Sequence, residues 1–402
     1  MVAVVGGGQL ARMMAPAAAE LGVTLRVLVE GAAASAGQVV VDAPHGAAAD
    51  AAAVSAVALG DAERRPANVL TFEHEHVPHA LLHQVSDAGV PVRPGPHALE
   101  AAQDKIVMRR RLTELGVACP AWAALPRDPE AARAALDAFV AAHGGAAVVK
   151  TARGGYDGKG VRVVRGSADV GEWIASAALD GPALLVEEKV PFVRELAAVV
   201  ARRPSGEVAA YPVVESVQRD GVCAEVLAPA PGLDPALAAH AQAVAEQIAT
   251  ALDLTGVLAV ELFEVDGAVL VNELAMRPHN SGHWTITGAV TSQFAQHLRA
   301  VLDLPLGSTS PVAPWTVMVN VLGSRLAALT DALPDVLADP AVQVNLYGKE
   351  IRPGRKLGHV TVSGSDLAEV RARANRAAAL LRGEDADDGV AAPTADATRR
   401  NA

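Results

Sequence analysis

The sequence predicts a mixed chain, α/β at its N-terminus and α+β thereafter, and three observations carry that prediction. VAVVGGGQLARMMAPAAAELGVTLRVLVEG sets an apolar run before a glycine turn, then Ala, Met and Leu at helical spacing, then a second apolar run, which is one strand–helix–strand unit. Beyond Gly116 short β-branched runs outnumber helical stretches, the mark of antiparallel strands with a few covering helices. Proline-rich joins at VPVRPGP and PLGSTSPVAPW divide the chain, the first near residue 95.

The elements follow in order. After the opening unit, NVLTFEHEHVP begins as an apolar strand, and DKIVMRRRLTELGV reads as an amphipathic helix ending at Gly116. Val148–Lys150 and Val161–Val164 read as a hairpin whose connection is TARGGYDGKG. The segments ALLVEEKV, RELAAVVARR and VAAYPVVE read as strands, PALAAHAQAVAEQIATALDL as a helix, and GVLAVELFEVDGAVLVNELAM as a second hairpin turning at VDG. A last small segment holds VMVNVLG and QVNLYGKEIRPGRKLGHVTV, and no internal repeat is visible. The C-terminal GEDADDGVAAPTADATRRNA, residues 383–402, has no apolar period and is expected to be a disordered tail.

Composition narrows the function classes. With 402 residues, 51% hydrophobic, the chain can bury a large core, and a net charge of −11 argues against nucleic-acid clamping and against a polybasic membrane face. Its alanine-rich runs are interrupted by charge before they could span a bilayer. Met1 leads straight into VAVVGGG with no basic stretch before it, so no secretory signal is expected and the cytoplasm is the expected location. Cys119 and Cys223 have neither metal-ligand spacing nor a partner motif and read as inert.

Against that acidic background the motifs stand out. TARGGYDGKG carries Lys159 among Gly154, Gly155, Gly158 and Gly160, a longer and more flexible connection than a hairpin needs, and best suited to covering an anionic ligand. Gly6-x-Gly8-x-x-Ala11, with Glu30 closing the next strand, fits a dinucleotide or general phosphate turn, or a bare strand-to-helix turn. Glu261 and Glu273 lie on the two strands of the VDG hairpin with Asn272 beside the second; carboxylates brought together among apolar neighbours call for a cation, and Mg²⁺ between nucleotide phosphates suits hard oxygen ligands. A solvent-facing alternation of charge is the bland alternative. Arg277, His279, Asn280 and His283 crowd into RPHNSGH, a donor-rich loop suited to an oxyanion or a transferring phosphate. LLVEEKVPFVREL offers strand backbone for an adenine edge and carboxylates for ribose hydroxyls, or merely surface charge.

Taken together, Lys105, Lys150, GGYDGKG, EEKV, Glu195, Glu261, Asn272 and Glu273, in this order, resemble the ATP-grasp superfamily. GGGQLARM, FEHEHVP, RPHNSGH with TSQF, and YGKEIRPGRKLGH narrow the resemblance to the 5-(carboxyamino)imidazole ribonucleotide synthetase family of purine biosynthesis, over about residues 1–380. The resemblance implies a Rossmann-like domain over 1–95, an ATP-grasp core of two α+β lobes over 96–307, a small C-terminal domain over 308–382, and a homodimer. It implies that ATP, bicarbonate and 5-aminoimidazole ribonucleotide give the N-carboxylated product, ADP and phosphate through carboxyphosphate. Lys105, Lys150 and the loop Tyr156, Asp157, Gly158, Lys159 and Gly160 would meet the ATP phosphates, with Asp157 and Lys159 also taken as catalytic. The EEKV segment, Glu187, Glu188, Lys189 and Val190, would hold adenine through Glu187 and Val190; Glu195 would take the ribose, with Asn272 nearby. Glu261 and Glu273 would hold Mg²⁺, while Arg277, His279 and Asn280 would position bicarbonate. The ribonucleotide would lie on Gly8, Gln9 and Leu10 against Lys349, Arg355 and Lys356, with Glu75 and His283 at hand. The glycine loop is then expected to be a lid over an unstable acyl phosphate, the alternative being a hairpin connection that is merely long. His74, His76 and Thr287 depart from the family pattern, which leaves substrate contacts around FEHEHVP less defined. A different ATP-grasp ligase, joining another carboxylic acid or formate to an amine, or a nucleotide-binding regulator without turnover, are the competing functions.

Overall fold

The computed structural model describes residues 1–155 and 159–385. Strands β1 (Val2–Val5), β2 (Leu25–Leu28) and β3 (Val69–Phe72) form a parallel sheet in the order β2-β1-β3, every residue buried, as a sheet covered on both faces requires. Helix α1 (Gln9–Glu20) is the crossover from β1 to β2, and α2 (Ala51–Leu59), α3 (His79–Asp87) and α4 (Pro96–Gln103) complete this unit. The proline stretch near residue 95 is not a break in packing. One apolar cluster runs from Leu28 and Leu70 through Leu99 to Leu196, Val260 and Leu274.

Helix α5 (Lys105–Glu114) leads into a four-stranded antiparallel lobe, β4 (Trp122–Ala124), β5 (Ala147–Thr151), β6 (Val161–Val164) and β7 (Leu184–Glu188), in the order β4-β7-β5-β6. Helices α6 (Pro129–Ala142) and α7 (Gly171–Ala178) cover it. The second lobe contains β8 (Arg194–Arg202), β9 (Val208–Ala210), β10 (Val214–Arg219), β11 (Val222–Ala228), α8 (Pro235–Ala251), β12 (Gly256–Val265), β13 (Ala268–Ala275), α9 (Thr285–Gly288) and α10 (Gln293–Val301). VAAYPVVE, read above as one strand, is two: Pro212 has no N–H for the ladder, and the chain leaves the sheet at Tyr211.

The C-terminal segment brings β14 (Trp315–Leu322), α11 (Leu333–Val336), β15 (Gln343–Leu346), β16 (Lys356–Gly364) and α12 (Leu367–Arg382). It builds no sheet of its own. β14 pairs with β11 from Thr316↔Ala228 to Val319↔Glu225, which makes a nine-stranded sheet in the order β13-β12-β8-β10-β11-β14-β16-β15, with β9 on β8. This continuity carries the YGKE and RPGRK segments back toward β12. Helix α12 stops at Gly383, whose φ of 69° suits glycine, and the expected tail lies, beyond Asp385, outside the described residues.

His297 ties the units together. Val257 N–H donates to its Nδ1 at 3.3 Å, so the ring proton sits on Nε2 and is donated to Thr71 Oγ1 at 2.8 Å, joining α10 and β12 to β3. A Cβ at Gly256, where φ is 123°, would lie 3.1 Å from this ring, so the close approach needs glycine. Burial lowers the His297 pKa from 6.5 to about 3. The unfolded chain therefore takes up a proton below pH 6.5 that the native state refuses, so stability held above that pH is lost on acidification. Going from about pH 7 to about pH 5 should cost about 2 kcal/mol through this residue. Urea midpoints of the wild type should fall over that interval, and His297→Gln should flatten the fall by that amount; an unchanged slope would contradict the assignment.

Candidate active site

The site is built outward from the β12–β13 hairpin. Glu261 and Glu273 stand directly opposite in the antiparallel register, with a bulge after Glu261 that ends regular pairing at that point. Burial, then the Glu273 carboxylate, then that of Glu195 push the Glu261 pKa up to about 8, with Lys356 and Arg277 opposing. Lys105 Nζ bonds Glu273 Oε1 at 2.6 Å. Negative charge in excess of its local partners, presented as carboxylate oxygens, is the donor set of a hard divalent cation, so these residues fit Mg²⁺. Glu195, at the start of β8, is raised to about 7 chiefly by burial, with a hydrogen bond from Gln218 and the charge of Lys150 opposing.

A buried charge network backs this hairpin. Glu187, at the end of β7, receives Arg109 Nε at 2.7 Å and Lys150 Nζ at 2.7 Å. Arg109 is fully buried and also donates to Val271 O at 3.0 Å and Asn272 O at 2.7 Å, while Lys150 donates to Asn272 Oδ1 at 3.0 Å. The two cations hold the Glu187 carboxyl below the usual range in spite of its burial. Its side chain is thus committed to ion pairs, and what it offers a nucleotide is its place beside the backbone of Glu188, Lys189 and Val190, all half-buried. The helix read as amphipathic turns two of its charged residues inward: Lys105 and Arg109 share one buried face with Leu112, while Arg110 and Glu114 are exposed.

The RPHNSGH loop follows β13. Arg277 pairs with Glu75 at 2.8 Å, and His279 Nε2 lies 3.5 Å from Glu261 Oε1. Burial, with Arg277 and Lys356 adding to it, lowers the His279 pKa to about 3, so this ring is neutral. Among the described residues, both amide atoms of Asn280 and Nε2 of His283 are buried without a well-formed hydrogen bond, the Cys223 thiol being the polar group that the Asn280 amide influences. Buried polar atoms in that state point to a ligand or to water.

The glycine turn is occupied from within. Glu73 accepts the N–H groups of Gly8 and Ala11, the latter at 3.2 Å, so a protein carboxylate caps α1 where a ligand phosphate was expected. Gln9 instead accepts from Lys349 across the molecule, and Leu10 is core. The basic cluster read from YGKEIRPGRK is divided: Lys349 reaches Gln9, Arg355 bonds the carbonyl of Glu350 at 3.2 Å, and Lys356 lies within the electrostatic reach of Glu261, His279 and Cys223. Of the glycine loop, Tyr156, Asp157 and Gly158 lie outside the described residues. At its far end Gly160, with φ of 71°, returns its carbonyl to Thr151 N at 2.9 Å, and Lys159 is exposed.

Three family models match the chain in succession: the ribonucleotide synthetase preATP-grasp domain over residues 1–103, the ATP-grasp domain over 110–294, and the phosphoribosylaminoimidazole carboxylase C-terminal domain over 316–373. The N5-carboxyaminoimidazole ribonucleotide synthase of Mycobacterium tuberculosis is 53% identical over 386 residues, covering 95% of this chain and 87% of that one. The chain belongs to the N5-carboxyaminoimidazole ribonucleotide synthases. Solved structures agree. The synthetase from Thermus thermophilus superposes with a TM-score of 0.80 at 39% identity over 94% of this chain and 98% of that one. The Aspergillus clavatus synthase, solved with ADP and 5-aminoimidazole ribonucleotide, gives 0.82 at 30% over 94% and 98%. The expected ATP-grasp ligase, with its three-part architecture, is borne out.

Four residues of this site were not singled out from sequence: Glu73, Arg109, Gln218 and Gln293. Arg109 had a signal, since it lies four residues after Lys105 on a helix whose next inward position is Leu112. Glu73 and Gln293 lie within FEHEHVP and TSQF, motifs of the family resemblance, but their partners, like that of Gln218, are set by chain crossings that no local pattern encodes. Because Arg109 and Glu187 are both buried, removing one partner leaves an unpaired charge. Arg109→Met should cost about 3–5 kcal/mol, and adding Glu187→Gln should recover part of that loss. Denaturation of the single and double variants checks this; purely additive losses would show that the pair is not coupled.

Proposed function

We propose that this enzyme transfers a carboxyl group from bicarbonate to the exocyclic amine of 5-aminoimidazole ribonucleotide at the expense of ATP, and that the residues converging on Glu261 carry the reaction. Bicarbonate oxygen attacks the γ-phosphorus of ATP, ADP leaves, and carboxyphosphate forms. The amine then takes the carboxyl carbon, directly or as CO₂, releasing phosphate and losing a proton to give N5-carboxyaminoimidazole ribonucleotide. The observation that supports this most is the meeting at one place of carboxylates for a cation, neutral His279, Arg277 and the unpartnered Asn280.

Lys105, Lys150 and Lys159 neutralise the triphosphate, the 187–190 segment holds adenine, and Glu195 with Gln218 holds the ribose. Glu261 and Glu273, with Asn272 alongside, hold Mg²⁺, which when bound offsets the charge developing on the phosphoryl oxygens. Arg277, kept protonated by Glu75 and Glu73, and Asn280 orient bicarbonate beside His279. Gln9 with Lys349 holds the ribonucleotide phosphate at the join between the N-terminal and C-terminal segments, and Lys356 faces the reacting carboxyl group. A homodimer and a cytoplasmic location belong to the same reading on the strength of the family resemblance; no described helix is long and apolar enough to cross a membrane.

The test is ADP release measured with each substrate omitted in turn, and incorporation of ¹³C from bicarbonate into the ribonucleotide. Equal turnover with formate in place of bicarbonate would overturn the reading. Glu273→Gln should lower turnover by at least about 100-fold, the upper end of what losing an outer-sphere partner costs, with the melting curve preserved. Lys349→Ala should raise KM for the ribonucleotide roughly 10- to 100-fold through loss of one charge-assisted bond and leave KM for ATP nearly unchanged. A matching rise for ATP would place Lys349 on the wrong ligand.

A further inference from the structure

Gln293, the first residue of α10, is fully buried and carries no role in the reaction as described so far. Its amide orientation follows from the backbone it meets. The N–H of His279 donates to Oε1 at 2.8 Å, so the opposite end is the NH₂ group, which donates to His279 O at 2.7 Å and to His283 Nδ1 at 2.9 Å. The same residue's N–H is held by Thr285 Oγ1 at 2.8 Å, and a Cβ at Gly282 would lie 2.3 Å from Oε1. One side chain thus clamps both ends of the 279–283 turn.

The consequence falls on His283. A ring nitrogen that accepts a hydrogen bond carries no proton, so the neutral imidazole must carry it on Nε2. That Nε2 is buried and has no hydrogen-bond partner among the described residues. The ring is immobilised by stacking on His359 at 5.1 Å and Phe294 at 5.7 Å, and His359 is itself held by Tyr347 Oη at 2.7 Å. Burial, then the neighbouring His359 and His279 rings, with the charges of Lys356 and Arg277 adding to them, oppose its protonation. A fixed, buried N–H in the same loop as Arg277 and the Asn280 amide, and within the electrostatic reach of Arg277 and Lys356, is complementary to an oxygen lone pair, and that potential favours an anionic oxygen over water.

We infer that Gln293 is a positioning residue that locks His283 in the Nε2–H tautomer and so makes that ring a hydrogen-bond donor to an oxygen of the bicarbonate or carboxyphosphate, not a base. The donor role rests on the reading of the 277–283 loop as the oxyanion site; the tautomer does not.

The tautomer is read by long-range ¹H–¹⁵N spectra of the full-length enzyme labelled at histidine, with the His283 signals assigned from their loss in His283→Asn. The wild type should show protonated Nε2 and bare Nδ1, and a protonated Nδ1 overturns the inference whether or not any variant folds. Gln293→Glu keeps the acceptor for His279 N–H but replaces the donor, so the ring should move its proton to Nδ1. KM for bicarbonate should then rise at least about tenfold, as for loss of one donor to an anion, with KM for ATP within about twofold. Gln293→Met should show the same split. A switched tautomer with unaltered bicarbonate kinetics overturns the donor role. Arg277→Ala separates the two readings: a wild-type KM for bicarbonate in that variant means the loop is not the oxyanion site and removes the donor role, while the tautomer assignment is decided by the spectrum alone.

Discussion

The buried contact of Arg109 and Lys150 with Glu187 is the constraint on which the rest of the site depends. Arg109 comes from α5, Lys150 and Glu187 from the four-stranded lobe, and the carbonyls of Val271 and Asn272 from the edge hairpin of the nine-stranded sheet. A charge this deep is tolerated only when every donor is satisfied, and the geometry that satisfies Arg109 also fixes how the small lobe sits over β13. Lys105, one turn earlier on α5, then has no choice but to face Glu273. The cleft between the lobes is therefore set by a handful of ion pairs with little freedom to slide.

Within that cleft the charges are deliberately unbalanced. Burial, Glu273 and Glu195 raise the proton affinity of Glu261, which Lys356 and Arg277 only partly offset, while Lys105 pairs with Glu273. His279 is kept neutral by burial, with the charges of Arg277 and Lys356 adding to it. The two halves of the site thus differ in sign, carboxylates on the hairpin and donors on the 277–283 loop, and burial makes the preference of each for an opposite charge stronger than it would be in water.

The third contributor is long-range. β14 and β16 extend the sheet so that Lys356 comes within the electrostatic reach of Glu261 and His279, and Lys349 crosses to Gln9 beside the Glu73-capped helix. Gln293 performs the corresponding task for the donor loop, holding it by both backbone groups of His279. None of these residues is placed by its neighbours in sequence.

What the sequence determined by itself is local. Apolar period and glycine spacing were enough for the opening strand–helix–strand unit, for the VDG hairpin that sets Glu261 opposite Glu273, and for RPHNSGH as a donor-rich loop, because each is specified by residues within one or two elements. The family followed from the order of those motifs. Tertiary structure decided which carboxylate caps the glycine turn, Glu73 in place of a ligand; that Glu187 spends its charge on Arg109 and Lys150; that Lys349, Arg355 and Lys356 of the YGKE–RPGRK stretch serve different places; and that the C-terminal strands prolong the central sheet. The physical reason is common to all four. A charged side chain reaches several ångströms, and which partner it meets depends on where distant segments cross, whereas the period of a helix or strand is written in consecutive residues.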